Sequence, residues 1–361
     1  MTQRALVLWA KHSATNLGIR VLATGAARLC EMAFKNVEVD FHDHDTLGTP
    51  LGKGAIVRDV GRSSGYIKEL FRNYDVIVDT TSGDSFTDMY SSRRLTVMTY
   101  AHRAAIKAGI PLVLAPQTIG PFDSRYGRSI ARASIRGATR VYARDSESAR
   151  YSAALGRRPD ALSSDLVFAL PPLPEANSRA GVYMNVSGLL WRSNPHVDYL
   201  RYRNAVIDAC RAISGAGHPV TIFPHVLRSA VSREDDVTAV EEAAKALRSD
   251  DVGFFVPQSL NDVRSRLNEA AAVIGARMHA CLNALSVGTP ALAWAYSRKF
   301  APLLNDLDWS ASLDLRTSPD IVEQTSAFVR NLDHWTRKAP SVRAEAVGSI
   351  ERVAQDLAKA L

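Results

Sequence analysis

Short runs rich in β-branched and apolar residues alternate with amphipathic stretches along almost the whole chain. Before a proline-rich break they are ALVLWA (5–10), NVEVDF (36–41), AIVRDV (55–60), DVIVDT (75–80), PLVLAP (111–116) and RVYARD (140–145). After it come GVYMNV (181–186), PVTIFPH (219–225), VGFFVP (252–257), AAVIGA (271–276) and ALAWAY (291–296). Strands separated by helices of this length form βαβ units, and hence parallel sheets covered by helices. The break itself, ALPPLPEANSRAG at 169–181, carries Pro171, Pro172 and Pro174, which no helix interior or central strand accommodates. A length of 361 residues, 46% of them hydrophobic, exceeds what one core usually organises and is enough to bury two. The pattern therefore predicts an α/β chain of two Rossmann-like domains, 1–170 and 181–340, with a linker at 171–180. A C-terminal helix at 341–361 is a candidate to pack back on the first domain.

Composition excludes several classes. The first apolar run, Ala5 to Ala10, ends at Lys11 and His12, too short for a signal-peptide core or a membrane span, and no later run reaches membrane length. A cytoplasmic chain is expected, one that can still work at the inner face of a membrane. Cys30, Cys210 and Cys281 lie far apart, a spacing that suits buried thiols rather than a disulfide framework or a cysteine metal site. A net charge of +7 favours anionic partners. Basic residues are nevertheless dispersed, as in RYGRSIARASIRGATR (125–140), and no nucleic-acid module accompanies them, so a mixed solvated surface is the expectation rather than nucleic-acid binding.

Three motifs invite chemistry and have plainer explanations. GRSSG, Gly61 to Gly65, fits a nucleophile elbow, yet the preceding AIVRDV carries two charges where an elbow's strand is buried, and a serine cap at a turn fits equally simple spacing. FHDHD, with His42, Asp43, His44 and Asp45, offers metal-capable side chains, but neighbours on an extended segment point to opposite faces; a solvated strand end is expected and no metal is assigned. Neither a G-x-x-x-x-G-K-[ST] loop nor a G-x-G-x-x-G turn follows a strand.

In open parallel sheets ligands bind beyond the carboxyl ends of the strands, which directs attention to the residues just after each run. TTSGDSFTD (80–88) packs Ser82, Gly83 and Asp84 behind a strongly apolar strand; it can present backbone N–H groups and a carboxylate to a ligand, or simply start a helix. In APQTIGPF (115–122), Gln117 offers a two-way amide next to a backbone stiffened by Gly120-Pro121. Arg144 and Arg277 each close a strand, and a guanidinium fork suits a small dianion, although Arg144 can equally pair with Asp145. The helix after Arg277 starts near Met278 or His279, so its N–H groups point to the same place. His279 there is either a general acid or a histidine bonded to a loop carbonyl.

Taken in order, APQTIGPF, ARDSESARYSAALG (143–156), DLVFAL (165–170), IGARMHACLNALSVGTPAL (274–292) and AYSRKF (295–300) resemble the signature segments of the polysaccharide pyruvyltransferase family over about residues 10–310. The family's glycine-rich loop after the fourth strand is reduced here to Ser82-Gly83-Asp84, and its N-x-G-D to Asn16-Leu17-Gly18-Ile19, without the acid. The resemblance implies transfer of pyruvate from phosphoenolpyruvate, a co-substrate rather than a cofactor, to a sugar of a polysaccharide or glycolipid, giving a cyclic ketal and phosphate. It further implies two Rossmann-like domains facing across a cleft, as in GT-B glycosyltransferases; such an enzyme with a nucleotide-sugar donor is the alternative. His279, Arg277 and Asp84 become the catalytic candidates. Arg277, His279, Arg144, Lys299 and His225 become the donor contacts, and Ser82, Gly83, Asp84, Gln117 and Asn16 the acceptor contacts.

Overall fold

The computed structural model describes residues 2–44, 51–228, 235–248 and 250–361. The chain forms two compact units. The first comprises Met1–Ala14, Leu22–Leu170 and Ala346–Leu361; the second comprises Thr15–Val21 and Pro171–Glu345. Neither unit is therefore a single stretch of sequence.

The first unit is built on a six-stranded sheet: β1 (Gln3–Leu8), β2 (Val37–His42), β3 (Val76–Asp79), β4 (Leu112–Gln117), β5 (Arg140–Ala143) and β6 (Ala161–Leu162). All pairs are parallel, in the order β2-β1-β3-β4-β5-β6. Every residue of β3 and β4 is buried, which is why these strands read as unbroken apolar runs. The second unit has six parallel strands too: β7 (Val182–Asn185), β8 (Val220–Phe223), β9 (Val252–Phe254), β10 (Ala272–Gly275), β11 (Ala291–Ala295) and β12 (Ser312–Asp314). Their order, β12-β11-β10-β7-β8-β9, is that of a dinucleotide-binding Rossmann sheet, whereas the first unit follows the flavodoxin-type order with a sixth strand added. The direction of strand addition reverses between β1 and β3 in one unit and between β7 and β10 in the other. Beyond the carboxyl ends of those pairs each sheet opens a crevice.

Three expectations change. AIVRDV is no strand: Lys53–Asp59 is a helix that buries Ala55 and Asp59 and leaves Val57 exposed. β6 and β12, at the sheet edges, have only two and three residues and carry no periodic signal. The last helix runs from Leu332 to Ala360, starting nine positions before 341. Pro340 lies inside it on an exposed position, where its ring projects into solvent and costs one backbone hydrogen bond. Among the described residues no helix is long and apolar enough to cross a membrane.

Candidate functional site

In the second unit the crevice beside β7 and β10 is organised by two buried side chains. Asn185, ending β7, accepts from the backbone N of Arg277 (3.0 Å) and donates to the Phe223 carbonyl (3.2 Å), tying the ends of β7, β8 and β10 together. Asp236, fully buried, opens the helix Asp236–Ala246. Its Oδ1 accepts from Gly188 N (2.7 Å) and Arg277 Nη2 (2.8 Å), its Oδ2 from His225 N (3.0 Å) and Val226 N (2.9 Å). Arg277 Nε lies 3.3 Å from both carboxylate oxygens. Arg277 is the expected anion clamp, and one edge of its fork is held by Asp236, which fixes the guanidinium plane and offsets its charge. The backbone of Arg277 caps the helix Met278–Ser286, the start expected from sequence.

His279 stands in the first turn of that helix, and Asn283, one turn on, lies on the same face. Asn283 Nδ2 is 3.1 Å from His225 Nε2. With the amide nitrogen donating, His225 accepts at Nε2 and carries its proton on Nδ1. Burial, then the nearby charges of His279 and Arg277, push the pKa of His225 well below the ordinary 6.5. A neutral His225 can meet a ligand only through hydrogen bonds and not through charge. Across the site runs Thr15–Val21. Asn16 forms an antiparallel bridge with Val226, Leu17 N donates to the His225 carbonyl (3.0 Å), and Asn16 Oδ1 accepts from Gly18 N (2.8 Å). A Cβ on Gly18 would lie 2.9 Å from His279 Nδ1. Glycine at 18 is thus what lets the imidazole come this close. Asn16, expected among the acceptor residues of the first domain, sits instead in the second unit with His225. Lys299 is half-buried at the start of the helix Phe300–Asp306, beyond β11, one strand over from β10.

In the first unit the crevice beside β1 and β3 has a strained floor. Thr81, Ser82 and Gly83 follow one another at φ 39°, 53° and 85°, a left-handed run that costs about 1–3 kcal/mol per non-glycine residue and must be over-determined by its surroundings. Asp79, fully buried, supplies much of this: it accepts from Thr81 N (2.9 Å) and Trp9 Nε1 (2.6 Å) and lies 2.9 Å from His102 Nε2. Ser82 Oγ donates to the Trp9 carbonyl (3.1 Å), and Asp84 accepts from the Tyr90 hydroxyl (2.8 Å). Thr81 Oγ1 donates to Gln117 Oε1, while Gln117 Nε2 is buried with no hydrogen-bond partner among the described residues. Arg144, 1% exposed, donates through Nη1 to Asp165 (3.0 Å); its Nε and Nη2 have no hydrogen-bond partner there either, and Asp145 is 3.7 Å from Nε. Buried donors left without a protein acceptor mark a place for water or ligand oxygen. Arg144, grouped with the donor contacts by sequence, therefore belongs with Gly83 and Gln117 in the first unit.

The remaining motifs take simpler roles. GRSSG follows a helix rather than a strand, and the helix Tyr66–Phe71 is capped by the Asp59 carboxylate, which accepts from Ile67 N (2.8 Å) and Lys68 N (3.2 Å). His42 ends β2 and is buried rather than solvated, and His44 lies against Trp9 with ring centroids 4.5 Å apart and the planes tilted by 36°. Asp45 lies outside the described residues, and among those described no group of three His, Cys, Asp or Glu is placed to hold a metal ion.

Sequence reasoning did not single out Asp236, Asn283 or Asn185, the last although it directly follows the apolar part of the run GVYMNV. Asp236 follows the actual helix cap, Asp235, which accepts from Val237 N (2.8 Å), and nothing local distinguishes the two acids.

Among solved structures, the chain is similar to UDP-GlcNAc 2-epimerase from Neisseria meningitidis bound to UDP-GlcNAc, at TM-score 0.61 and 10% identity, covering 98% of this chain and 99% of that one. MurG of Acinetobacter baumannii is similar at TM-score 0.58 and 12% identity, with 99% of each chain covered. HepE of Anabaena in complex with UDP and glucose is similar at TM-score 0.55 and 13% identity, over 99% of this chain and 98% of that one. At such identities the likeness is one of fold, a GT-B-like α/β chain of two Rossmann-like domains. No curated protein sequence matches. Residues 16–298, well over half of the chain, match the family described as polysaccharide pyruvyl transferase, and they include Asn16, Asp84, Gln117, Arg144, His225, Asp236, Arg277 and His279. The chain belongs to the polysaccharide pyruvyl transferase family.

Proposed function

We propose that this transferase moves the pyruvyl group of phosphoenolpyruvate onto two hydroxyls of a sugar in a polysaccharide or glycolipid, forming a cyclic ketal and releasing phosphate. The observation that carries the reading is the Arg277–His279 pair at a helix start beside the β7/β10 reversal, with Gly18 cut away to admit the imidazole. Phosphoenolpyruvate presents a carboxylate and a phosphate on a polarised alkene, so it needs cationic contacts and a proton donor. Arg277, the N–H groups of the helix start and Lys299 supply the first; protonated His279 supplies the second.

Proton transfer from His279 to the methylene carbon leaves an oxocarbenium-like centre, which one sugar hydroxyl attacks. The phosphate departs with its bonding electrons, and the second hydroxyl closes the ring on the same carbon. Of the two hydroxyl protons, one restores His279 and the other leaves with phosphate. We assign the acceptor to Ser82, Gly83, Asp84 and Gln117, with Asp84 the base that takes one hydroxyl proton before it leaves with phosphate, and the unclaimed edge of Arg144 to an anionic oxygen of the substrates. Asn16 supports Gly18 and through it the position of His279.

The test is to incubate the protein with phosphoenolpyruvate and a panel of sugar acceptors, following phosphate release together with the mass gain of a pyruvate ketal. His279→Ala is expected to lose turnover by about 10²–10⁴-fold, the usual weight of one general acid, while still binding phosphoenolpyruvate. Full activity in that variant would remove the acid assignment. Release of a nucleoside diphosphate from a sugar nucleotide, with phosphoenolpyruvate untouched, would replace the reading by a glycosyltransferase.

A further inference from the structure

The basic residues that look dispersed in sequence converge on one face of the first unit. Two helices, Ser92–Ala108 and Arg125–Gly137, lie side by side and parallel: Tyr126 Oη is 2.9 Å from Thr96 Oγ1 near their starts, and Ile106 packs over Gly137 at their ends. The first carries Arg93, Arg94, Arg103 and Lys107, the second Arg125, Arg128, Arg132 and Arg136. Neither contains an Asp or Glu. Those eight charges exceed the +7 of the entire chain, so the rest of the molecule is close to neutral.

Spacing sets their direction. Arg125, Arg128, Arg132 and Arg136 fall three or four apart and are all exposed, while Gly127, Ala131, Ser134 and Ile135 face the interior. Arg93, Arg103 and Lys107 share an exposed face of the neighbouring helix, and Arg94 alone turns away, to Ser82 Oγ (3.3 Å). None of the seven outward charges has an ion-pair partner among the described residues. Between the two stripes the seam is apolar and open: Tyr126 is 51% and Ile106 38% exposed, and Met89, in the loop before the first helix, 57%. In the loop before the first helix, Asp88 accepts from Asp123 N, Ser124 N and Ser124 Oγ at 2.7–2.9 Å and is thereby committed to the turn.

We propose that this face docks the protein on an anionic lipid bilayer. Two parallel helices make a broad surface rather than a groove. Guanidinium and ammonium groups on either side of a seam of Tyr, Ile and Met match a layer of headgroup phosphates over acyl chains. The stripes begin next to the loop Ser82–Asp84, through Arg94 to Ser82 and Tyr90 to Asp84, so a substrate carried by a lipid would reach that loop from the docked surface. The docking itself does not depend on the reaction catalysed.

Sedimentation of the full chain with vesicles tests it. Binding is expected to vesicles of phosphatidylcholine mixed with phosphatidylglycerol, but not to phosphatidylcholine alone, and to weaken as salt rises. Combined Lys107→Glu, Arg132→Glu and Arg136→Glu is expected to lower the partition coefficient on the order of a hundredfold. Tyr126→Ser with Met89→Ser is expected to weaken binding at unchanged charge, and unaltered thermal melts of both variants exclude misfolding. Equal binding to neutral vesicles, or full binding by the triple variant, would overturn the proposal. So would retention by dextran sulfate with no vesicle binding, which would assign the face to a soluble anionic polymer.

Discussion

Replacing Gly18 by alanine tests how closely the ring of His279 is held. A Cβ at position 18 would lie 2.9 Å from His279 Nδ1, 3.2 Å from its Cγ and 3.1 Å from Asn16 Oδ1. Ordinary contact begins near 3.4 Å, so the ring must retreat by roughly half an ångström or the helix must shift. Two terms oppose each other in stability. Overpacking costs about 1–3 kcal/mol, while alanine in a helix gains about 0.5–1 kcal/mol over glycine, so the net loss is about 2.5 kcal/mol or less. The catalytic effect is expected to be the larger one. A misplacement of 1 Å can cost about 10²-fold, so half of that predicts roughly a tenfold fall in kcat/KM. Phosphate release from phosphoenolpyruvate and a urea melt, measured side by side on the Gly18→Ala protein, separate the two. Unchanged turnover in a variant whose stability falls would refute the argument that residue 18 sets the position of the imidazole.

Asp236→Asn removes the carboxylate charge that Arg277 Nη2 bonds at 2.8 Å inside the second unit. Breaking such a pair costs about 3–5 kcal/mol, so the urea midpoint of the second unit should drop markedly, and an unshifted midpoint would show that the pair is not structural. His225 predicts the sign of a pH effect. The unfolded chain takes up a proton on it near 6.5, whereas the folded chain resists until far lower pH, so stability should fall as pH is lowered through 6.5. His225→Asn should flatten that part of the profile; an identical slope would place the titration elsewhere. Burial raises the thiols of Cys30, Cys210 and Cys281 to about 12, and all three are free. A thiol reagent near neutral pH should leave the native protein unlabelled and modify three groups once it is unfolded.

Much of the fold could be read from sequence because central parallel strands are buried on both faces. VIVD in β3 and AVIG in β10 have no polar alternation to obscure them. AIVRDV misleads for another reason: in a run of six residues, period alone does not separate a strand from a helix, and here the Asp59 carboxylate serves the next helix from a helical position. Arg277 and His279 stood out because a strand end followed at once by a helix start is a local signal. Asp236 and Asn185 did not, since their partner Arg277 lies 41 and 92 residues away. The part played by Gly18 was equally hidden, because the N-x-G pattern shows a turn but not the ring that the missing side chain admits. Arg144 looked like a companion of Arg277 on chemical grounds, yet the topology puts the two in different units.

The interleaving of the two units has a consequence for how the chain acquires its structure during synthesis. Leu170 completes the sheet of the first unit, but Ser164 Oγ donates to the Ala346 carbonyl (2.9 Å), and Tyr142 and Arg140 bond Asp356 (2.8 and 3.0 Å), so that unit waits for the last residues of the chain. At about 5–20 residues per second the wait after Leu170 is roughly 10–40 s. The second unit depends on residues made at the outset: Asn16 and Gly18 must stay available until Val226 and His279 emerge. Each unit is thus closed by a segment from the opposite end of the sequence, so neither can be finished, or removed by a single cut, without the other's portion of the chain. Folding should accordingly appear as one late, cooperative event rather than two successive ones; loss of the last residues should damage the first unit, and loss of the residues up to Val21 should damage both.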